Sequence, residues 1–258
     1  TRQNPPTPLR PMNPGCLPLL TLMLAIGAAL FISSCRETPP PPSDAGDQTT
    51  PVDPKFPNEI PLLPVKMGDF WRYQVQVEVN TPDHPATTRH ETTRTYLGKL
   101  KPVPDKDEVD VFEVVIPNSP TERELVEIYE DRILMRGSLK ITDGKESPPI
   151  WFDKPVPFVL SNIRPGSSFP PLPVGDGEVT RGIHVVGREE VTVPAGSYRT
   201  IRLLMTGVDG KQLGLELRRT IWFAPGVGIV KELTTRYTRD AILVRQTQEL
   251  IETNVKHP

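Results

Sequence analysis

Residues Phe70 to Val79 alternate without a break: Trp71, Tyr73, Val75, Val77 and Val79 fall on one side, Arg72, Gln74, Gln76 and Glu78 on the other. In an extended chain successive side chains point to opposite faces, so this pattern specifies a strand with one buried and one wet face. It excludes a helix, whose apolar positions recur every three or four residues. A half-wet strand belongs to an antiparallel sheet that covers a core on one side only.

The rest of the chain extends that reading. Asn80-Thr81-Pro82-Asp83 breaks the first strand, and the Thr-rich stretch Thr87 to Lys99 suits the next. Val109 to Ile116 follows, ended by Pro117 and Pro120. Glu122 to Arg136 fits two patterns. Leu125, Ile128 and Tyr129 suit a helix, whereas Val126, Ile128, Ile133 and Met135 suit two strands around Glu130-Asp131. The hairpin is the stronger reading, because a polar pair flanked by β-branched residues makes a turn. Pro148 to Pro173, crowded with prolines, is expected to be an irregular excursion with one short strand at Trp151–Phe158. Strands are then expected around Ile183–Val186 and Glu190–Val193, and over Ser197–Met205, Leu213–Phe223, Gly228–Thr238 and Ala241–Ile251. Pro194-Ala195-Gly196, Asp209-Gly210 and Arg239-Asp240 provide reversals. Short turns place successive strands side by side, and so wide a sheet must coil or close. The expected fold is all-β: a strongly curved antiparallel meander, an open or incomplete barrel, over residues 62–258.

Composition narrows the chemistry. The only cysteines are Cys16 and Cys35. The β region therefore has no disulfide, no thiolate metal site and no thiol nucleophile, and a packed core must hold it. The 32 prolines argue against a helical bundle. Two of the 30 basic residues, Arg2 and Arg10, lie before residue 35, where there is no acid. The remainder sets 28 basic residues against 32 acidic. That balance provides no basic excess for nucleic acid and no polybasic patch for anionic lipid.

Ahead of the β region lies an uncharged apolar run, Leu17 to Ile32, preceded by Arg2 and Arg10. This is the layout of a secretory signal, and its roughly 16 residues fall short of the about 20 that a spanning helix needs. It ends on Ile32-Ser33-Ser34-Cys35, which resembles the lipobox of bacterial lipoproteins. Small residues let the backbone enter a protease groove, and the thiol receives the lipid. The resemblance implies lipidation at Cys35, removal of residues 1–34, and anchoring by more than one acyl chain, each buried CH₂ contributing about 0.8 kcal/mol. Arg36 after the cysteine implies sorting to the outer membrane of the cell envelope. An uncleaved signal anchor and a buried core helix are the alternatives. Residues 35–61 are rich in Pro, Ser, Thr and Asp, cannot bury enough surface to order themselves, and are expected to form an extended, disordered tether.

Three pieces recur together in a group of bacterial lipoproteins: LLPVKMGDFWRY from Leu62, VPAGSYRT from Val193 and WFAPGVGIVK from Trp222. The set resembles TapB-related domains of unknown function, more loosely similar to the half-barrels of lipoprotein carriers that shield acyl chains. The resemblance implies fold and location and maps no catalytic residue. From the residues themselves, the three pieces are turns with aromatic anchors. The functional alternative is that Trp71, Tyr73, Trp222 and Phe223 line an apolar ligand cavity.

Catalytic patterns are missing. His84, His90, His184 and His257 show no HxH or HExxH spacing, so no metal site is expected. There is no GxSxG elbow. Gly175-Asp176-Gly177 and Gly226-Val227-Gly228 open no helical pattern of the kind that cradles phosphate. Glu189-Glu190 lies beside a strand, so one of the pair is expected to point outward on a solvated face. The sequence thus points to a non-enzymatic protein without cofactor, held at a membrane by lipid, that binds an apolar ligand or an envelope protein. A structural or assembly factor acting through sheet edges, and a secreted hydrolase, are the competing classes.

Overall fold

A computed structural model describes residues 61–81, 84–160, 164–174, 179–209, 215–239 and 241–256. The expected signal segment, Cys35 and the expected tether lie outside these residues. The described residues contain 13 strands and no helix: β1 (Phe70–Thr81), β2 (His84–Leu100), β3 (Val109–Val115), β4 (Thr121–Ile128), β5 (Arg132–Thr142), β6 (Lys145–Glu146), β7 (Ile150–Leu160), β8 (Ser168–Val174), β9 (Val179–Val193), β10 (Gly196–Asp209), β11 (Glu216–Ala224), β12 (Gly228–Tyr237) and β13 (Ile242–Thr253). They form one antiparallel sheet in the order β6-β5-β4-β3-β2-β1-β13-β12-β11-β10-β9-β8, with β7 also beside β5. The curved, open meander expected from the sequence is thus the fold. Because β13 returns beside β1, with Tyr73 facing Leu250, the sheet has two wings: β2 to β7 on one side and β13 to β8 on the other.

The segment Glu122–Arg136 is a hairpin, β4 and β5, in which Ile128 faces Ile133 across the turn. The proline-rich excursion departs from expectation. Where one short strand was anticipated, β7 runs for 11 residues and β8 for 7. Pro155 and Pro157 lie in β7; Pro170, Pro171 and Pro173 lie in β8. Both are edge strands, where a residue lacking an N–H donor is tolerated because one side of the ladder is unpaired. The two strands expected between Ile183 and Val193 are one continuous β9 of 15 residues, kinked by a register shift opposite Arg202 and Leu203.

Curvature comes from repeated irregularities in the ladder. Register shifts occur at Arg72/Tyr73, Tyr96/Gly98, Leu125/Val126, Arg202/Leu203 and Trp222/Phe223. Each extra residue bends its strand and increases the local twist. The bend is strong enough that Ala195 N–H, in the turn between β9 and β10, donates to Leu250 O on β13 at 3.0 Å, reaching past β11 and β12. Gly137 marks the tightest approach: a Cβ there would stand 1.9 Å from Ile150 O of β7.

The concave faces of the wings share one core. Trp71 and Tyr73 of β1 are fully buried, and Phe112 of β3 meets Trp71 at 5.7 Å and Tyr96 at 5.2 Å between ring centroids. Phe223, Ile229 and Val230 supply the opposite wing. Two β1 side chains tie the wings by polar bonds: Trp71 Nε1–H to Val227 O at 2.7 Å, and Tyr73 O–H to Ile229 O at 3.0 Å.

One end of the concave face is crossed by a strap, Leu62 to Asp69. Leu62 N–H donates to Glu130 O in the β4–β5 turn at 3.3 Å, and Gly226 N–H in the β11–β12 turn donates to Leu62 O at 3.0 Å. The strap then bonds β2 through Gly68 N–H to Tyr96 O and Tyr96 N–H to Asp69 O, at 2.9 and 2.8 Å. Leu62 and Leu63 are 1% and 4% exposed. Burying each leucine contributes about 1.5–3 kcal/mol.

Candidate functional site

The concave face changes character along the strands. Beside the strap it is aromatic and aliphatic. A band of opposite charges follows. Arg94 on β2 pairs with Glu124 on β4 through two nitrogens at 2.8 Å, and its guanidinium lies 3.6 Å above the Phe112 ring. Across the fold Arg219 on β11 pairs with Glu232 on β12 at 2.6 Å, and Thr234 O–H holds the other carboxylate oxygen at 2.9 Å. The register sets Gln248 opposite Glu232 and, one step beyond the band, Gln246 opposite Thr234, with Gln248, Gln246 and Thr234 half-buried.

Two like-sized ion pairs on facing walls leave the interior electrically balanced. A buried pair is sustained only when its remaining donors and acceptors are satisfied. Burial works to lower the pKa of the Arg219 guanidinium, but Glu232 above all, with Glu124 and Glu122 behind it, outweighs that and holds it above its ordinary value. Arg219 Nε is buried and has no hydrogen-bond partner among the described residues. Tyr73 sits within the field of all four groups. Its pKa is raised, first by burial, with Glu124 and Glu232 adding to the shift and Arg94 and Arg219 opposing it. Tyr96 is raised by burial and by its 2.6 Å hydrogen bond to Asp110.

Between the wings lies a gap of about 40 Å³, bordered by Leu63, Arg94, Phe112, Met135, Met205 and Phe223 among others. One water in the liquid occupies roughly 30 Å³. This gap, which the strap's Leu63 helps to close, holds no room for an acyl chain as it stands.

Of the four aromatic residues singled out from sequence, the fold brings Trp71, Tyr73 and Phe223 to the concave side, and only Phe223 borders the gap. Trp222 is elsewhere. Consecutive strand residues face opposite ways, and β11 pairs regularly with β10 through Ile201–Phe223, Arg202–Trp222 and Leu203–Ile221. Trp222 thus lies on the other side of β11, where its indole N–H bonds Glu189 and the Lys231 ammonium stands 5.6 Å from its ring. Of the pair Glu189-Glu190, one of which was expected to point outward, Glu190 is exposed and Glu189 is buried, with Arg202 at 3.5 Å. Cys35 lies outside the described residues, as do His257 and Gly175-Asp176-Gly177. His184 is exposed on β9. Among the described residues no group of three or more His, Cys, Asp or Glu converges.

Sequence reasoning missed Arg94, Glu124, Arg219 and Glu232. Parity carries part of the signal: Arg94 pairs with Trp71, so any residue opposite Trp71 on the next strand shares the concave face. The register that makes the pairing visible, in which Thr81 faces His84, is one that sequence alone leaves open.

No protein-family model matches the chain, and no curated protein matches it. Two solved structures are similar over 76% of this chain and 99% of their own, each at 13% identity. One is a candidate exported protein with a YmcC-like fold from Bacteroides fragilis, TM-score 0.38; the other is a candidate lipoprotein from Parabacteroides distasonis, TM-score 0.36. At that level of overlap neither carries weight for the function of this chain.

Proposed function

We propose that this is a lipid-anchored protein of the bacterial cell envelope, held at the outer membrane through Cys35. Its folded part, a TapB-like β domain, is non-enzymatic and acts by binding. The observation that carries the reading is the apolar run closed by Ile32-Ser33-Ser34-Cys35 and followed by a proline-rich spacer. Such a spacer is extended and semi-rigid, and it holds a domain away from the surface that anchors it.

The geometry favours a protein partner over a stored lipid. The 40 Å³ gap is too small for an acyl chain, and the charged band is already internally paired. Sheet-edge docking is also disfavoured, because β7 and β8, which with the two-residue β6 form the free margins, carry five prolines that cannot donate to an added strand.

The test compares intact mass and membrane fractionation of the wild type with Cys35→Ala. The expected result is a membrane-bound, acylated chain starting at Cys35, and a variant that loses both properties. A wild type that is soluble, or that retains residues 1–34, overturns the anchor.

A further inference from the structure

The strap is the only described segment that makes backbone hydrogen bonds to the strand turns of both wings at once: to Glu130 on one and Gly226 on the other. It does so in a form unlike the rest of the sheet. Leu62 and Leu63 are buried, while Pro61 and Pro64 on either side are exposed. Two side chains are fully buried and Val65 packs partly buried against the same core, on a stretch that Pro61 and Pro64 stiffen. Leu63 reaches the gap between the wings, and Gly228 gives it room: a Cβ at Gly228 would stand 3.2 Å from Leu63 Cδ1. The walls that receive it are tied to β1 by bonds that involve no strap residue. Trp71 bonds Val227 O and Tyr73 bonds Ile229 O.

We infer that the cleft between the β4–β5 and β11–β12 turns is a docking site for an extended, leucine-bearing peptide segment flanked by prolines, and that Leu62–Leu63 occupies it in cis. The site takes backbone from both directions, one carbonyl acceptor at Glu130 and one N–H donor at Gly226, and two adjacent apolar side chains. That is the recognition pattern of a peptide, not of a lipid or a nucleotide. The strap is joined to the sheet at Phe70, so its local concentration is on the order of millimolar, and a partner segment must compete with it. The inference builds on the binding role proposed above and names its ligand class.

The test uses the full chain and a fluorescent peptide of residues 58–66, with fluorescence anisotropy as the readout. The L62A/L63A variant is expected to bind the peptide saturably and at least tenfold more tightly than the wild type. A control peptide with both leucines replaced by serine is expected not to bind. A folded variant that fails to bind, or a wild type that binds equally well, overturns the inference. Hydrogen exchange of the wild type gives a second arm that needs no variant. The amides of Leu62 and Gly226 are expected to exchange at least tenfold faster than those of Trp71 to Val75. Exchange of all of them at one common rate means that the strap leaves only on global unfolding, and refutes a displaceable occupant. An unlipidated chain that still binds the peptide keeps this inference and removes the anchor; a lipidated chain that does not bind does the reverse.

Discussion

Strand β1 has two ends, and they differ in nearly everything except sequence pattern. At the strap end Trp71, Tyr73 and Val75 are buried under side chains from both wings. At the far end Val77 and Val79 occupy the same face with the same spacing, yet are only half-buried, and the neighbouring Asn80 is exposed. The inner-facing partners explain it: Leu250 opposite Tyr73 gives way to Gln248 and Gln246 opposite Val75 and Val77. Alternation specifies a face. Depth depends on what the rest of the sheet brings over that face, and here the strap and the bulged wings bring it to one end only.

The largest effect that separates the two ends is expected from Trp71→Ala, which removes a fully buried ring, its bond to Val227 and its contact with Phe112. It should cost about 3–5 kcal/mol, whereas Val79→Ala at the far end should cost under about 1 kcal/mol, both read from urea unfolding midpoints. Equal losses would mean that the far end is as well packed as the strap end. Next comes the charged band. Glu232→Gln leaves Arg219 in the interior without its counter-ion and is expected to cost about 3 kcal/mol. Glu252→Gln, on the exposed Arg72–Glu252 pair of the outer face, should cost no more than about 1 kcal/mol.

A smaller effect, about 1–3 kcal/mol, is expected of Gly228→Ala, which adds a methyl against Leu63 and Trp71 at a φ of +113°. Its signature is a faster exchange of the Leu62 amide, with the far end unchanged. The smallest effect is a pH dependence. An unfolded tyrosine loses its proton near pH 10, whereas burial keeps Tyr73 and Tyr96 protonated to higher pH. Above that pH the folded chain binds more protons than the unfolded one, so stability is fully present below about pH 10 and falls as pH rises beyond it. Tyr96→Phe should flatten the decline in urea midpoint between pH 9 and 11. A decline of the same slope in the variant would assign it to other groups.

The fold was legible because its signal is local. The alternation at Trp71–Val79, the Glu130-Asp131 reversal and the Pro194-Ala195-Gly196 turn each declare themselves within a dozen residues. The strands at Ile150–Leu160 and Ser168–Val174 did not, because their prolines argue against a strand unless it is known to lie at a margin, and margin status is a property of the whole sheet. The interior charges were hidden for a related reason. Arg94 lies in the Thr-rich stretch of β2, where polar residues occupy both faces and parity cannot be read. Adjacent Trp222 and Phe223 could have been separated in advance, since neighbours in a strand cannot line the same wall.

The prolines at the two margins have a consequence at the level of the population. An open sheet is a repeating lattice with no intrinsic last row, and a second copy offers the same donors and acceptors as the next strand. With Pro155 and Pro157 on one margin, and Pro170, Pro171 and Pro173 on the other, propagation stops at thirteen strands. Copies crowded on a surface at high density would stay individually countable, each a finished object, not a unit of a growing fibril.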